Sequence, residues 1–155
     1  MENISRIASF SVNHDHIVPG IYVSRIDGDI TTFDLRTRKP NSEDYMDNLT
    51  MHSVEHMFAT YVRNSEIADR VIYFGPMGCQ TGFYLLTRDV ANEEVYDIVV
   101  KTLEKIIAHE GEIFGKVREE CGNYLNLDLE AAKTECKRYL LDLKNNPIRF
   151  DYPTE

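Results

Sequence analysis

Two histidines, His52 and His56, stand four residues apart in the stretch NLTMHSVEHMFATYV, with Glu55 directly before the second. Imidazole nitrogens are common ligands of zinc and other divalent metals. If the stretch is helical, His56 lies about 40° from His52 around the helix axis and Glu55 about 60° away on the other side, at ~100° per residue. The three side chains would then share one face, and the two histidines could bind one ion.

The opposite face of this predicted helix is apolar and carries Val54, Phe58 and Tyr61. The helix can therefore bury one face in a core and present polar groups on the other. Histidine pairs at this spacing also occur on ordinary exposed helices, so the spacing alone leaves both interpretations open. The order H-x-x-E-H is also the inverted form of a zinc peptidase motif, in which Glu55 would activate a water molecule.

The three cysteines lie in three different sequence contexts. Cys121 stands in REECGNYLNLD, where a loop is predicted, and its thiolate could complete a His-His-Cys set with an open fourth position, as in catalytic metal sites. A buried apolar role for Cys121 also stays open. Cys79 lies in the glycine-rich GPMGCQTGFY, where a loop thiol can be reactive or simply inert. Cys136 continues an apolar helical stripe and is predicted to be a core residue.

Alternating apolar residues predict the strands that must position these groups. GIYVSRIDGDITTFDLR is typical of a hairpin with its turn at Asp27-Gly28. RVIYFGP and TGFYLLTRD are predicted to be two more strands, joined by the connection that carries Cys79. KPNSEDYMDN, between the two strand pairs, is predicted to be a loop.

Cap residues and apolar stripes predict three helices. The histidine helix is expected to start near Asn48 or Thr50 and to run to about Asn64. The second helix is expected to be capped by Asn92 and the last by Asp128. Hairpin-like strand pairs with interspersed helices predict an α+β fold with a mainly antiparallel sheet packed against helices.

The bulk composition narrows the class of protein. The length of 155 residues fits a single domain, 1–155, with one core. The net charge of −9 argues against nucleic acid or an anionic membrane as a partner, since phosphate binding needs a basic surface. No apolar run reaches membrane-span length. The segment MENISRIASFSVNHD lacks the pattern of a signal peptide, and the three cysteines argue against a disulfide framework, so a cytoplasmic location is expected.

Four segments in order, SFSVNH, FDLR…PN, HSVEH and PMGCQTGFY, followed by ECG, resemble the S-ribosylhomocysteine lyase (LuxS) family. The resemblance extends from about Ser9 to the last helix, and PMGCQTGFY is its most specific part. It implies an enzyme that cleaves S-ribosylhomocysteine to homocysteine and 4,5-dihydroxy-2,3-pentanedione, the precursor of the quorum-sensing signal autoinducer-2. It also implies a homodimer with active sites at the subunit interface.

Residue by residue, the resemblance implies three metal ligands, an acid–base pair and three substrate contacts. The implied ligands are His52, His56 and Cys121, the acid–base pair is Glu55 and Cys79, and the substrate contacts are Ser9, His14 and Arg36. The implied metal is iron(II), Fe²⁺, one per subunit, with Zn²⁺ or Co²⁺ as substitutes.

The sequence departs from the family pattern beside the implied substrate contacts. Thr37-Arg38 stands where Phe-Cys is common, and Asn13 stands where aspartate is common. The segment NNPIRFDYPTE near the C-terminus matches no part of the pattern. None of these departures falls on an implied metal ligand.

The implied reaction needs the residue types that the motifs supply. The carbonyl group of the open-chain sugar moves from carbon 1 to carbon 2 and then to carbon 3, and homocysteine leaves by β-elimination. A metal with an open position can polarise the sugar oxygens, and Glu55 and Cys79 can move the protons. Two other functions fit the same residues: a metallopeptidase, which gives Cys79 no role, and a non-enzymatic metal-binding module, in which Cys79 could be a fourth ligand.

Overall fold

Four antiparallel strands form one sheet in the computed structural model, which describes residues 2–154. The strands are β1 (Gly20–Asp27), β2 (Ile30–Arg36), β3 (Val71–Pro76) and β4 (Gly82–Arg88). Their order across the sheet is β1-β2-β4-β3, so both predicted strand pairs are confirmed as neighbours. In the β1–β2 turn Gly28 has a φ of +64°, a left-handed conformation that glycine adopts without steric cost.

The pairing of β2 with β4 brings two distant parts of the sequence together. Arg36, the last residue of β2, lies opposite Gly82, the first residue of β4. One residue further, the backbone N–H of Thr37 donates a hydrogen bond to the carbonyl oxygen of Thr81 at 3.0 Å. The end of β2 therefore lies beside the β3–β4 connection, which carries Cys79.

Three α-helices within residues 2–154 pack against one another, and α1 and α3 also contact the sheet. They are α1 (Asn48–Val62), α2 (Asn92–Ala108) and α3 (Leu129–Asn145). The predicted α+β fold, with an antiparallel sheet packed against helices in a single domain, is confirmed. None of the helices in the described part of the chain is long and apolar enough to cross a membrane.

Helix α1 begins at Asn48, as predicted, but two of the predicted helix caps are wrong. The cap of α1 is Asp47, whose carboxylate accepts a hydrogen bond from the backbone N–H of Thr50 at 2.8 Å, and neither Asn48 nor Thr50 has that role. Asn92 is the first residue of α2, and Ala91 occupies its cap position without a side-chain hydrogen bond. Several polar residues near a helix start can each act as a cap, and the local chain path selects one of them.

The cap and the apolar stripe predicted for α3 are both confirmed. Asp128 caps α3 by accepting a hydrogen bond from the backbone N–H of Glu130 at 2.9 Å. Cys136 is 1% exposed, and burial raises the pKa of its thiol. A neutral, buried thiol on an apolar stripe behaves as a small core residue, as predicted.

The two faces of β2 differ in their neighbours. Phe33 and Leu35 belong to the hydrophobic core under the helices. Asp34 and Arg36 alternate with them and therefore point to the other face of the sheet, yet both are buried. Buried charged groups need polar partners. The C-terminal segment supplies one of these partners and shields the two side chains from solvent.

The C-terminal segment packs on that outer face of the sheet. The ring of Tyr152 stacks on Tyr22 of β1 with ring centroids 5.0 Å apart. The carbonyl oxygen of Phe150 accepts a hydrogen bond from the backbone N–H of Val23 at 2.8 Å. The hydroxyl of Tyr152 donates to the carboxylate of Asp34 at 2.7 Å. A segment without a counterpart in the family pattern thus covers the buried charges of β2.

Candidate metal centre

The structure brings His52, His56 and Cys121 together. Helix α1 presents the two imidazoles on one face, and the loop between α2 and α3 carries Cys121 to them. One ligand atom from each residue lies within 4.8 Å of the others, and Nε2 of His52 is 3.4 Å from Sγ of Cys121. Such ligands around one zinc ion would lie roughly 3.3 to 3.6 Å apart, given metal–ligand distances of about 2.0 to 2.3 Å. The donor set therefore fits a single divalent metal after a small contraction.

Each imidazole is oriented by a backbone carbonyl group on its far side. Nδ1 of His52 lies 2.8 Å from the carbonyl oxygen of Asn126, and Nδ1 of His56 lies 2.8 Å from that of Phe114. A carbonyl oxygen can only accept, so each Nδ1 carries the proton and each Nε2 keeps a free lone pair. Metal-binding histidines in proteins are held in this way.

Gly115 allows the loop to pass close to His56. Its φ is +74°, and a β-carbon at this position would lie 2.8 Å from Nδ1 of His56. Any other residue would be strained in this conformation and would also contact the imidazole. The glycine therefore lets the neighbouring carbonyl group of Phe114 reach the ring.

The loop that carries Cys121 is attached to α1 at several points. The backbone N–H of Asp128 donates to Oγ of Ser53 at 2.8 Å, and the side-chain amide of Asn126 donates to Oδ1 of Asn48 at 2.6 Å. The backbone N–H of Asn123 donates to Sγ of Cys121 at 3.4 Å, which orients the sulfur. A loop fixed in this way can hold a ligand against the helix without help from the metal.

Glu55 lies between two clefts beside this cluster. One cleft, of about 540 Å³, is also lined by His56, and the other, of about 260 Å³, is also lined by His52 and Pro76. Glu55 is half-buried. Its carboxylate is therefore placed to exchange protons with a small molecule bound beside the cluster. Glu120 also lines the larger cleft, and no local sequence signal distinguished it from the other exposed acidic residues.

Cys79 lies in the β3–β4 connection and lines neither of the two clefts beside Glu55. It is exposed and lies three residues after Pro76, which lines the smaller cleft beside His52. Its Sγ lies 3.0 Å from Oγ1 of Thr81. The sequence pattern identified Cys79 but not Thr81.

Arg36 is not an ordinary exposed strand residue, since it is only 3% exposed. Its Nε and Nη2 donate to the two carboxylate oxygens of Asp34, and its Nη1 donates to Oγ1 of Thr81 at 2.8 Å. Burial works against the charge, but the Asp34 carboxylate outweighs it and raises the pKa of the Arg36 guanidinium. Three of its five N–H donors are thus used inside the protein.

Ser9 and His14 lie apart from the metal cluster in the single chain. Ser9 lines a cleft of about 390 Å³ on the outer face of the sheet, with Tyr73 and Tyr84. His14 lies in a single turn of 3-10 helix, where its Nδ1 is 2.9 Å from the carbonyl oxygen of Val12. Neither lines the clefts beside Glu55. One described chain therefore does not bring these two residues to the metal site.

The comparisons with known proteins agree on one family. A sequence profile described as S-Ribosylhomocysteinase (LuxS) matches residues 7–148. The chain is 45% identical over 147 residues to the S-ribosylhomocysteine lyase of Finegoldia magna, with 92% of this chain and 94% of the relative covered. It is 42% identical over 149 residues to that of Clostridium beijerinckii, with the same coverage. It is 40% identical over 157 residues to that of Phocaeicola vulgatus, with 96% and 98% covered.

Proposed function

Because the chain belongs to the S-ribosylhomocysteinase (LuxS) family, we propose that it is a carbon–sulfur lyase acting on S-ribosylhomocysteine. The products are homocysteine and 4,5-dihydroxy-2,3-pentanedione. The single observation that best supports this function is the convergence of two imidazoles and one thiol beside the carboxylate of Glu55. A small polar substrate fits clefts of this size better than an extended peptide does.

His52, His56 and Cys121 are the proposed metal ligands. Three protein ligands leave room in the coordination sphere for substrate oxygens, as in other catalytic sites. A divalent cation held there would act as a Lewis acid toward the sugar oxygens. The mixed nitrogen and sulfur donor set suits Fe²⁺, the proposed native ion with one per subunit, and also Zn²⁺ and Co²⁺.

Glu55 and Cys79 are the proposed groups that move protons. Each carbonyl shift removes a proton from a carbon next to the carbonyl group and returns one to the former carbonyl carbon. The elimination then removes the proton at carbon 4 while the homocysteine sulfur leaves carbon 5. Glu55 acts from the face of α1 and Cys79 from the β3–β4 connection, so the two groups approach the substrate from different elements.

A homodimer with composite active sites is part of the proposal. Ser9 and His14 are the proposed substrate contacts that come from the other subunit, since they lie apart from the metal cluster in their own chain. Two side chains of the same N-terminal segment, Ile7 and Phe10, are 56% and 61% exposed, as expected for a surface that a second subunit covers. Arg36 is the proposed contact from the subunit that holds the metal.

A complementation experiment tests the composite site. Chains carrying His14→Ala and Cys79→Ala are each expected to be inactive as homodimers. Co-expressed, they should form mixed dimers with one intact site and recover about a quarter of wild-type activity in a random C2 mixture. No recovery, or a monomer in light scattering, contradicts the shared site without contradicting the lyase activity.

Release of a free thiol from S-ribosylhomocysteine tests the reaction itself. The metal-loaded protein should release one homocysteine per substrate and form a diketone that a diamine reagent traps. Protein that has been reduced and depleted of metal should release none. Metal-loaded protein that forms neither product would exclude the proposed lyase.

The two alternative functions have less support. The relatives compared are named lyases and not peptidases. For a non-enzymatic module, Cys79 would be a fourth ligand, and cobalt-substituted protein would then show charge-transfer bands of two thiolates. Cobalt bands of a single thiolate, unchanged in Cys79→Ala, are expected for the enzyme.

The proposed location is the cytoplasm. The cysteines Cys79, Cys121 and Cys136 are all free. Free thiols persist in reducing compartments. Detection of the protein in the soluble cytoplasmic fraction, by quantitative immunoblotting of separated cell fractions, checks this location.

A further inference from the structure

The hydroxyl of Thr81 lies between the guanidinium of Arg36 and the sulfur of Cys79. Oγ1 of Thr81 is 2.8 Å from Nη1 of Arg36 and 3.0 Å from Sγ of Cys79. Thr81 is 1% exposed, so bulk water does not compete for its hydroxyl group. The hydroxyl thus connects a buried positive charge with a thiol at the protein surface.

The chemistry of the three groups determines the direction of these hydrogen bonds. An arginine can only donate, so Oγ1 of Thr81 accepts from Arg36. Within residues 2–154, the other polar atom in hydrogen-bond reach of Oγ1 is Sγ of Cys79. If the thiol donated to Oγ1, the buried proton of the hydroxyl would lack an acceptor, and such unpaired donors are costly. The arrangement that satisfies every group has Thr81 donating to the sulfur.

A hydroxyl that accepts from a cation donates more strongly at its other end. Hydrogen bonds along such a chain polarise one another, so the hydrogen bond from Thr81 to the sulfur is strengthened by the bond from Arg36. The orientation of the hydroxyl therefore depends on the position of Arg36. Without Arg36 as a donor, the hydroxyl could rotate and accept from the thiol.

The C-terminal segment holds the far end of the same chain of hydrogen bonds. Both carboxylate oxygens of Asp34 accept from Arg36, and one of them also accepts from the hydroxyl of Tyr152 at 2.7 Å. Burial and the nearby Asp34 charge raise the pKa of Tyr152, so its hydroxyl stays protonated and donates. Tyr152, Asp34 and Arg36 together fix the guanidinium against Thr81.

We propose that Thr81 is a positioning residue for Cys79: the Thr81 hydroxyl, held by Arg36, donates to the sulfur and keeps it in one orientation for proton transfer. This inference rests on the proposed function, in which Cys79 moves protons. In this role Thr81 does not contact the substrate. Tyr152, in the C-terminal segment, belongs to the same network through its hydrogen bond to Asp34.

Alkylation of Cys79 tests this role independently of turnover. The metal-loaded full chain is treated with iodoacetamide at pH 7.5, and alkylation of the Cys79 peptide is followed by mass spectrometry. Thr81→Val, which removes the hydroxyl at nearly constant volume, should slow alkylation about threefold, since the sulfur loses the hydrogen bond that orients it. Thr81→Ser, which keeps the hydroxyl, should react within about twofold of the wild-type rate on the same scale.

Steady-state kinetics provide the second readout. Thr81→Val should lower kcat about tenfold with little change in KM, because the substrate does not contact Thr81, whereas Thr81→Ser should restore kcat. Circular dichroism and metal content identify a folded protein. If Thr81→Val is not folded, Thr81→Ala, which adds no methyl group against Arg36, takes its place.

Two outcomes overturn the inference. One is alkylation at the wild-type rate in a folded variant without the hydroxyl, and the other is a serine variant as slow as the valine variant. A wild-type protein without lyase activity would contradict the proposed function instead, and the alkylation rates would still report on the contact between Thr81 and Cys79.

Discussion

The hydroxyl of Ser53, in the middle of α1, accepts a hydrogen bond from the backbone N–H of Asp128 at the start of α3, at 2.8 Å. The same hydroxyl donates to the carbonyl oxygen of Leu49 at 2.7 Å, and Ser53 is fully buried. The bond joins the helix that carries the two histidines to the end of the loop that carries Cys121. One small polar residue on the buried side of α1 thus contributes to the geometry of the metal site.

Replacement of Ser53 by alanine should destabilise the protein. It leaves the backbone N–H of Asp128 without its partner, at a cost of about 1 to 3 kcal/mol in the free energy of unfolding. Urea denaturation of the metal-free protein measures this change. Ser42→Ala, which removes an exposed hydroxyl bound to the carbonyl oxygen of Lys39, is the control and should change stability by less than about 0.5 kcal/mol. Equal stabilities of the two variants would contradict the structural role of Ser53.

Removal of a proposed ligand should reduce metal content. His52→Ala, His56→Ala and Cys121→Ala each leave two ligand atoms of the cluster, which hold a divalent ion less tightly. Elemental analysis after gel filtration should give well under one metal per chain for each variant. His16→Ala, which changes a histidine in the N-terminal segment, should keep the wild-type ratio. A wild-type ratio in any of the first three removes that residue from the ligand set.

Glu55→Gln and Cys79→Ala should lower turnover without lowering metal content. Both variants keep the proposed ligands, so the ratio of metal to protein should stay at the wild-type value. Turnover should fall by about two to four orders of magnitude, the usual contribution of a positioned acid or base. Thiol release and elemental analysis on the same preparations measure both quantities. Substantial turnover in one variant would show that the residue moves no essential proton.

Gly115→Ala should weaken metal binding without changing any ligand. The added β-carbon would lie 2.8 Å from Nδ1 of His56, and it would disturb the carbonyl group that orients the ring. Loss of such an orienting contact typically costs about 10- to 100-fold in metal affinity. Competition with a chromophoric chelator measures the affinity.

Gly111→Ala is the matched control for that change. Gly111 also has a positive φ, of +99°, but a β-carbon there would have no atom within 4 Å. Both variants therefore carry backbone strain, and only Gly115→Ala acts on His56. Equal metal affinities of the two variants would mean that the contact with His56 has no effect on the site.

The sequence by itself determined the features that depend on local chain geometry. His52 and His56 share a face because helical periodicity places residues four apart side by side, wherever the helix lies in the fold. Gly28 predicted the hairpin turn because glycine adopts a positive φ without steric cost. Cys136 was identified as a core residue from the period of its stripe, and burial confirms this.

Other features were decided by the tertiary structure alone. The carbonyl groups of Asn126 and Phe114 orient the two imidazoles, and a backbone carbonyl has no residue-type signature in a sequence. Arg36 is buried and paired because the C-terminal segment folds over the outer face of the sheet, a contact between residues far apart in the chain. Thr81 faces Cys79 and Arg36 only because β2 and β4 pair in one register. Local patterns predict elements, whereas contacts between distant segments depend on how those elements pack.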